Sequence, residues 1–122
     1  MNTDEHRLTE AVLGAAFKVS NTLGAGFLEK VYERALVREL AHRGLEVRSQ
    51  VSVKVSYKGH PVGEYFADLL VEDQLLVELK CVESFAPEHT AQCLNYLRAS
   101  SLRLCLLLNF QHPKLHWKRL IL

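Results

Sequence analysis

Residues 65–81 read Tyr-Phe-Ala-Asp-Leu-Leu-Val-Glu-Asp-Gln-Leu-Leu-Val-Glu-Leu-Lys-Cys, and place Asp68 in one apolar run and Glu78 and Lys80 in the next. If the polar trio Glu72, Asp73 and Gln74 makes a turn, the runs form a hairpin. Val71 then pairs with Leu75 and, counting outward, Asp68 falls opposite Glu78. Opposite residues on one face have Cβ atoms roughly 4.5–5.5 Å apart, and the two-residue period puts Lys80 on the face of Glu78. Two carboxylates that close repel unless a proton or a cation lies between them. Oxygen-only ligands suit Mg²⁺ or Mn²⁺. The spacing therefore describes an acidic pocket with one ammonium at its rim, the kernel of a metal-dependent phosphodiesterase.

Salt bridges from Lys80 to Glu78 or Asp68 on a solvated sheet face are the competing account. The neighbouring residues argue against it. By alternation Phe66, Leu70 and Leu76 share the face of the charges, while Ala67, Leu69, Val71, Leu75, Val77 and Leu79 take the other. Both faces are expected to be covered, and charges are seldom buried without partners.

Other elements must hold such a hairpin. Leu8, Val12, Ala15, Val19 and Leu23 recur at helical spacing over residues 3–23, with Thr3 or Asp4 available as cap. Gly24 and Gly26 break the chain. A second helix over residues 28–43 has Leu28, Val31, Tyr32, Ala35, Leu36 and Leu40 as its buried stripe and ends at Gly44. Val51, Val53, Val55 and Tyr57 alternate with polar residues as a half-buried strand, and Lys58-Gly59-His60-Pro61 reads as a turn. With the hairpin this makes a three-stranded meander whose middle strand carries Asp68. Pro87 opens a helix to about residue 99, and residues 102–110 form a strand apolar enough to be buried on both faces, reached by a crossover. Residues 115–122 add a last strand.

A chain of 122 residues, 48% hydrophobic, is expected to make one domain with one core. Its net charge of +1 excludes nucleic-acid binding through bulk electrostatics, so such contact must come from a local patch. Lys114, His116, Lys118 and Arg119 are the clearest candidate, though the same alternation fits the wet face of an edge strand. Cys81, Cys93 and Cys105 lie far apart without a Cys-x-x-Cys pair, which points to buried, reduced thiols rather than zinc or iron–sulfur ligands. The N-terminus carries both signs of charge, and no stretch approaches the ~20 apolar residues of a membrane span. A cytoplasmic protein without a membrane partner is the expectation.

Three polar residues outside the hairpin bear on the pocket. Glu29 opens the second helix, where a carboxylate is stabilised by free backbone N–H groups, but it also borders the buried stripe and can face the sheet. Gln92 follows His89 and precedes Tyr96 on one row of the third helix. That row is either the solvent side or the side that packs beside the Glu78-Leu79-Lys80 strand. For His89 the surface is the simpler location.

Asp68, Glu78-Leu79-Lys80 on the next strand and Gln92 on a helix resemble the PD-(D/E)XK nuclease superfamily, with Ala67 standing in place of the proline. Gly26-Phe27-Leu28-Glu29-Lys30-Val31-Tyr32 is similar to the signature of the GxxExxY protein family, and the likeness extends through residues 63–71 and 92–97. The resemblance implies an α/β, restriction-endonuclease-like core with a mixed sheet flanked by helices. It also implies a Mg²⁺- or Mn²⁺-dependent nuclease in which Asp68, Glu78 and the Leu79 carbonyl hold the metal. Lys80 would steady the nucleophile, Glu29 support the metal and Gln92 orient substrate. The implied partner is nucleic acid; 122 residues leave little surface for base-specific contacts, so DNA cleaved at ends or structural features is the expected substrate, with a homo-oligomer open. A catalytically silent nucleic-acid-binding or protein-interaction module on the same fold is the alternative.

Overall fold

The computed structural model describes residues 1–122, as α1 (Thr3–Leu23), α2 (Glu29–His42), β1 (Val47–Tyr57), β2 (His60–Val71), β3 (Leu75–Lys80), α3 (Pro87–Ser100), β4 (Leu104–Asn109) and β5 (His116–Ile121). The strands lie in one sheet in chain order. All neighbours are antiparallel except β3 and β4, which run parallel because α3 carries the chain back between them. α1 and α2 cover one face, burying Leu8, Val12, Tyr32 and Leu36 against Leu69, Val77, Leu79 and Leu106. α3 covers the other, burying Cys93, Tyr96 and Leu97 against Leu70, Leu76, Cys105 and Leu107. Strand β4, sandwiched between these layers, is buried along its whole length, as its unbroken apolar run requires.

Local chemistry corrects several boundaries. α1 is capped by Asn2 rather than Thr3 or Asp4: Asn2 Oδ1 accepts from the Glu5 N–H and Glu5 Oε1 from the Asn2 N–H, a capping box. The α2 stripe is rotated from its expected position. Leu28 is 80% exposed and Val31 is exposed too, whereas Glu33 is buried beside Tyr32. The turn after β1 is only Lys58-Gly59, both at positive φ (50° and 80°), so β2 begins at His60 and the two strands form a long arm. Much of that arm projects beyond the core, and of its alternating residues only Val53 is buried.

Candidate active site

The hairpin forms with the expected register, Val71↔Leu75, Leu70↔Leu76 and Leu69↔Val77. Glu72 and Asp73 turn at φ 53° and 55°. At the next pair the backbone ladder stops and side chains replace it. Glu78 Oε1 accepts the Asp68 N–H at 3.1 Å, and Asp68 Oδ2 accepts the Leu79 N–H at 2.8 Å. Beyond this reciprocal lock, β2 continues with β1 alone and β3 with β4. The carboxylates sit in the fork between the diverging strands.

The fork also reverses the facing of β2. Leu69 packs toward α1 and α2, yet Ala67 packs on the α3 side with Leu70 and Leu76, and Phe66 is 52% exposed. Both residues therefore depart from simple alternation. The break falls beside Gln50, which lies opposite Asp68 between Ser49↔Leu69 and Val51↔Ala67 and holds φ 53°. A left-handed residue in a strand bends it locally. Gln50 turns this bend to use, since its Nε2 donates to both carboxylate oxygens of Glu33 at 3.3 Å and lies 3.5 Å from Asp68 Oδ1. Glu33, one turn after Glu29 on α2, is also paired with Lys30 at 3.0 Å. Its position one turn from Glu29 and beside Tyr32 is the only sequence signal for it, and Gln50 carries none.

Lys80 bonds Gln92 rather than a carboxylate, its Nζ 3.3 Å from Gln92 Oε1, while Gln92 Nε2 donates to the Tyr96 hydroxyl at 3.0 Å. The ion pairs of the chain are Lys30–Glu33, Arg43–Glu39, Arg48–Asp73 and Arg103–Glu5. The salt-bridge account of the hairpin is thereby excluded, and the row of α3 bearing Gln92 faces the site. His89 is spent elsewhere, accepting the Ala86 N–H through Nδ1 at 3.0 Å to close the start of α3. Asn109 pins the end of β3, its side chain bonded to both the N–H and the carbonyl of Val82.

Tyr32 fixes the start of α2, where Glu29 lies exposed. Its hydroxyl donates to the Gly24 carbonyl at 2.6 Å and accepts the Phe27 N–H at 3.2 Å, and its ring stacks on Phe110 at 4.8 Å. The Gly24-Ala25-Gly26 bend, with φ 73° and 109° at its glycines, is thus fastened to the core, and α2 starts at a fixed point. Partial desolvation at the sheet-facing side of an otherwise exposed residue, then the nearby Asp68 charge, push the Glu29 carboxyl up, with Lys80 opposing. Glu78, 3% exposed, is pushed up to about 9, first by burial and then by the Asp68 charge. Tyr96 is raised by burial and by the Glu78 charge. Asp68 and Glu78 therefore meet in the fork, Lys80 and Gln92 are joined beside it, and Glu29, exposed at the start of α2, feels the charges of Asp68 and Lys80.

The other sequence candidates lie elsewhere. Lys114, His116, Lys118 and Arg119 are exposed on or beside edge strand β5, and Lys118 Nζ reaches Thr90 Oγ1 at 3.4 Å. Cys93 and Cys105 are buried free thiols, while Cys81 is only half-buried. No helix is long and apolar enough to cross a membrane.

A family model described as the PD-(D/E)XK nuclease superfamily matches residues 6–120. Among solved structures, SSO0001 is similar at a TM-score of 0.57 and 16% identity over 75% of this chain and 48% of its own, so this chain spans about half the length of SSO0001. An alkaline exonuclease, LHK-Exo from Laribacter hongkongensis, is similar at 0.51 and 14% identity over 87% of this chain and 75% of its own. The structure of LHK-Exo in complex with dAMP gives 0.50 and 13% over 93% and 82%. At these identities the likeness is one of fold. No curated protein matches the sequence.

Proposed function

Because the chain belongs to the PD-(D/E)XK nuclease superfamily, we propose that it hydrolyses phosphodiester bonds of DNA at free ends or structural discontinuities, with Mg²⁺ or Mn²⁺ as cofactor. The observation that carries the reading is the reciprocal lock of Asp68 and Glu78 where β2 leaves β3, with Lys80 two residues on. The donor set fits a hard cation: it is all oxygen, and a buried carboxyl raised to about 9 beside a second carboxylate lacks a compensating positive charge. No group of three or more His, Cys, Asp or Glu side chains gathers at one point, so carboxylates alone make no cage. That suits an ion that keeps several of its waters, as Mg²⁺ does. Asp68, Glu78 and the Leu79 carbonyl would hold it, with Glu29 supporting it from α2. When bound, the ion supplies Lewis-acid activation of water and neutralises phosphate charge.

The chain's own groups account for the rest. Lys80 Nζ, oriented by Gln92, would place a compact positive charge against the oxygens of the scissile phosphate. Gln92 would in turn orient substrate. Membership of the GxxExxY family is part of this proposal: its support is the sequence pattern of Gly26, Glu29 and Tyr32, of which Tyr32 fastens the glycine bend before α2.

Labelled single-stranded, duplex and branched DNA, each with Mg²⁺, Mn²⁺ or chelator, test the reading. Metal-dependent products are expected, lost in Glu78→Gln and Lys80→Ala, and strongly reduced in Lys80→Arg because a broad guanidinium cannot replace an ammonium in a crowded site. Equal cleavage by wild type and Glu78→Gln would refute the reading in favour of a nucleic-acid-binding module.

A further inference from the structure

We infer that the groove between the β1–β2 arm and α3 is the track along which a single nucleic-acid strand reaches the fork. The groove encloses about 920 Å³, toward the upper end of the roughly 300–1,000 Å³ usual for ligand sites. Lys54 and Tyr65 line it from the arm, and Gln92, Asn95, Tyr96 and Arg98 from α3. Its direction toward catalysis rests on the nuclease reading, whereas its capacity to bind a strand does not.

Two features select the occupant. Tyr65 is 53% exposed, yet its ring is backed by that of Tyr96 at 5.8 Å and 41°, and the Tyr96 hydroxyl is held by Gln92. Tyr65 is therefore steadied on one side by a tilted ring contact while about half of the residue stays open, aromatic surface on which a base can stack. Bases inside a duplex present their edges alone, so the bases that can stack there one after another are those of an unpaired strand. The charges agree. Lys54 and Arg98 are exposed and engaged in no ion pair, and Glu88 is the lone acid on the walls. Cations beside an aromatic platform are what a phosphate-linked, unpaired strand requires. The groove also reaches the chemistry directly, since Gln92 lines it and accepts a hydrogen bond from Lys80.

Fluorescence anisotropy of a labelled oligo-dT strand and of a duplex of equal length, titrated with the whole chain in chelator, tests this without hydrolysis. The strand should bind more tightly than the duplex. Tyr65→Ala should weaken strand binding about tenfold, with Tyr65→Phe within about twofold of wild type. Lys54→Glu combined with Arg98→Glu should lower the slope of log affinity against log salt by about two or more. All these positions are exposed, so melting temperatures should stay near wild type and confirm folding. No strand binding, wild-type affinity in Tyr65→Ala and the charge variant, or equal binding of duplex and strand would each overturn the proposal. Strand binding that depends on Tyr65 without Mg²⁺-dependent cleavage would overturn the nuclease reading alone. Cleavage of single strands with KM unchanged in Tyr65→Ala would overturn the groove alone.

Discussion

Glu78 is buried against a like charge, and this has a consequence for stability. With its carboxyl at about 9 in the fold and at the ordinary 4.5 when unfolded, the folded chain binds one proton more than the unfolded chain between those values. Stability must then fall as pH rises through that window and be insensitive to Glu78 below it. In chelator, the melting temperature of wild type should decline relative to Glu78→Gln from about pH 5 to about pH 9, and Mg²⁺ should reverse the decline by taking the proton's place. A difference between the two proteins that does not vary with pH would show that Glu78 ionises freely. Asp68→Asn makes the complementary case. Asparagine keeps an oxygen for the Leu79 N–H but removes a negative charge, so above about pH 9, where Glu78 is ionised, the metal-free variant should melt higher than wild type. It should also lose most of the stabilisation by Mg²⁺, about 2.7 kcal/mol when free metal is ~100 times its dissociation constant. A lower-melting variant would mean that Asp68 is held by attraction rather than strained by repulsion.

Two elements owe their placement to single side chains. Tyr32 ties the Gly24–Gly26 bend to the core through two hydrogen bonds, so Tyr32→Phe should cost about 1–2 kcal/mol and lower cleavage by freeing the start of α2. Calorimetry and the cleavage assay read the two effects separately. Full activity in a destabilised Tyr32→Phe would separate the bend from the positioning of Glu29. Gln50 bends β1 at φ 53°, a conformation that costs an L residue on the order of 1 kcal/mol or more. Gln50→Gly should therefore be more stable than Gln50→Ala by about 1 kcal/mol, although both lose the bridge between Glu33 and Asp68. Equal stabilities in chemical denaturation would place no strain at that bend.

At the scale of the whole molecule the α/β, restriction-endonuclease-like core is a sheet with helices on both faces, and its two apolar layers meet at β4. Leu106 lies at the centre of that strand and is fully buried. Leu106→Ala should cost about 2–5 kcal/mol, a large fraction of the roughly 5–15 kcal/mol that holds a domain folded. Denaturant melts read this directly, and a loss below about 1 kcal/mol would mean that the core collapses to fill the gap.

Where one residue constrains the next, the sequence alone determined the outcome. The extents of α1 and α3, the turn at residues 72–74, the hairpin register and the apolar β4 followed from period, glycine and proline, and they placed Asp68 opposite Glu78. Gln92 and Glu29 were legible as candidates, but helix phase left two readings for each; packing against the sheet turned Gln92 toward Lys80, while Glu29 stays exposed at the start of α2. The Ala67 and Phe66 positions, the burial of Glu33 and the role of Gln50 were not legible. Each depends on a strand bending where two carboxylates replace a backbone ladder, and alternation along one strand carries no information about where its neighbour departs. The groove beside Tyr65 is likewise a product of assembly, since its walls are separated by more than twenty residues of chain and meet only because α3 packs back across the sheet.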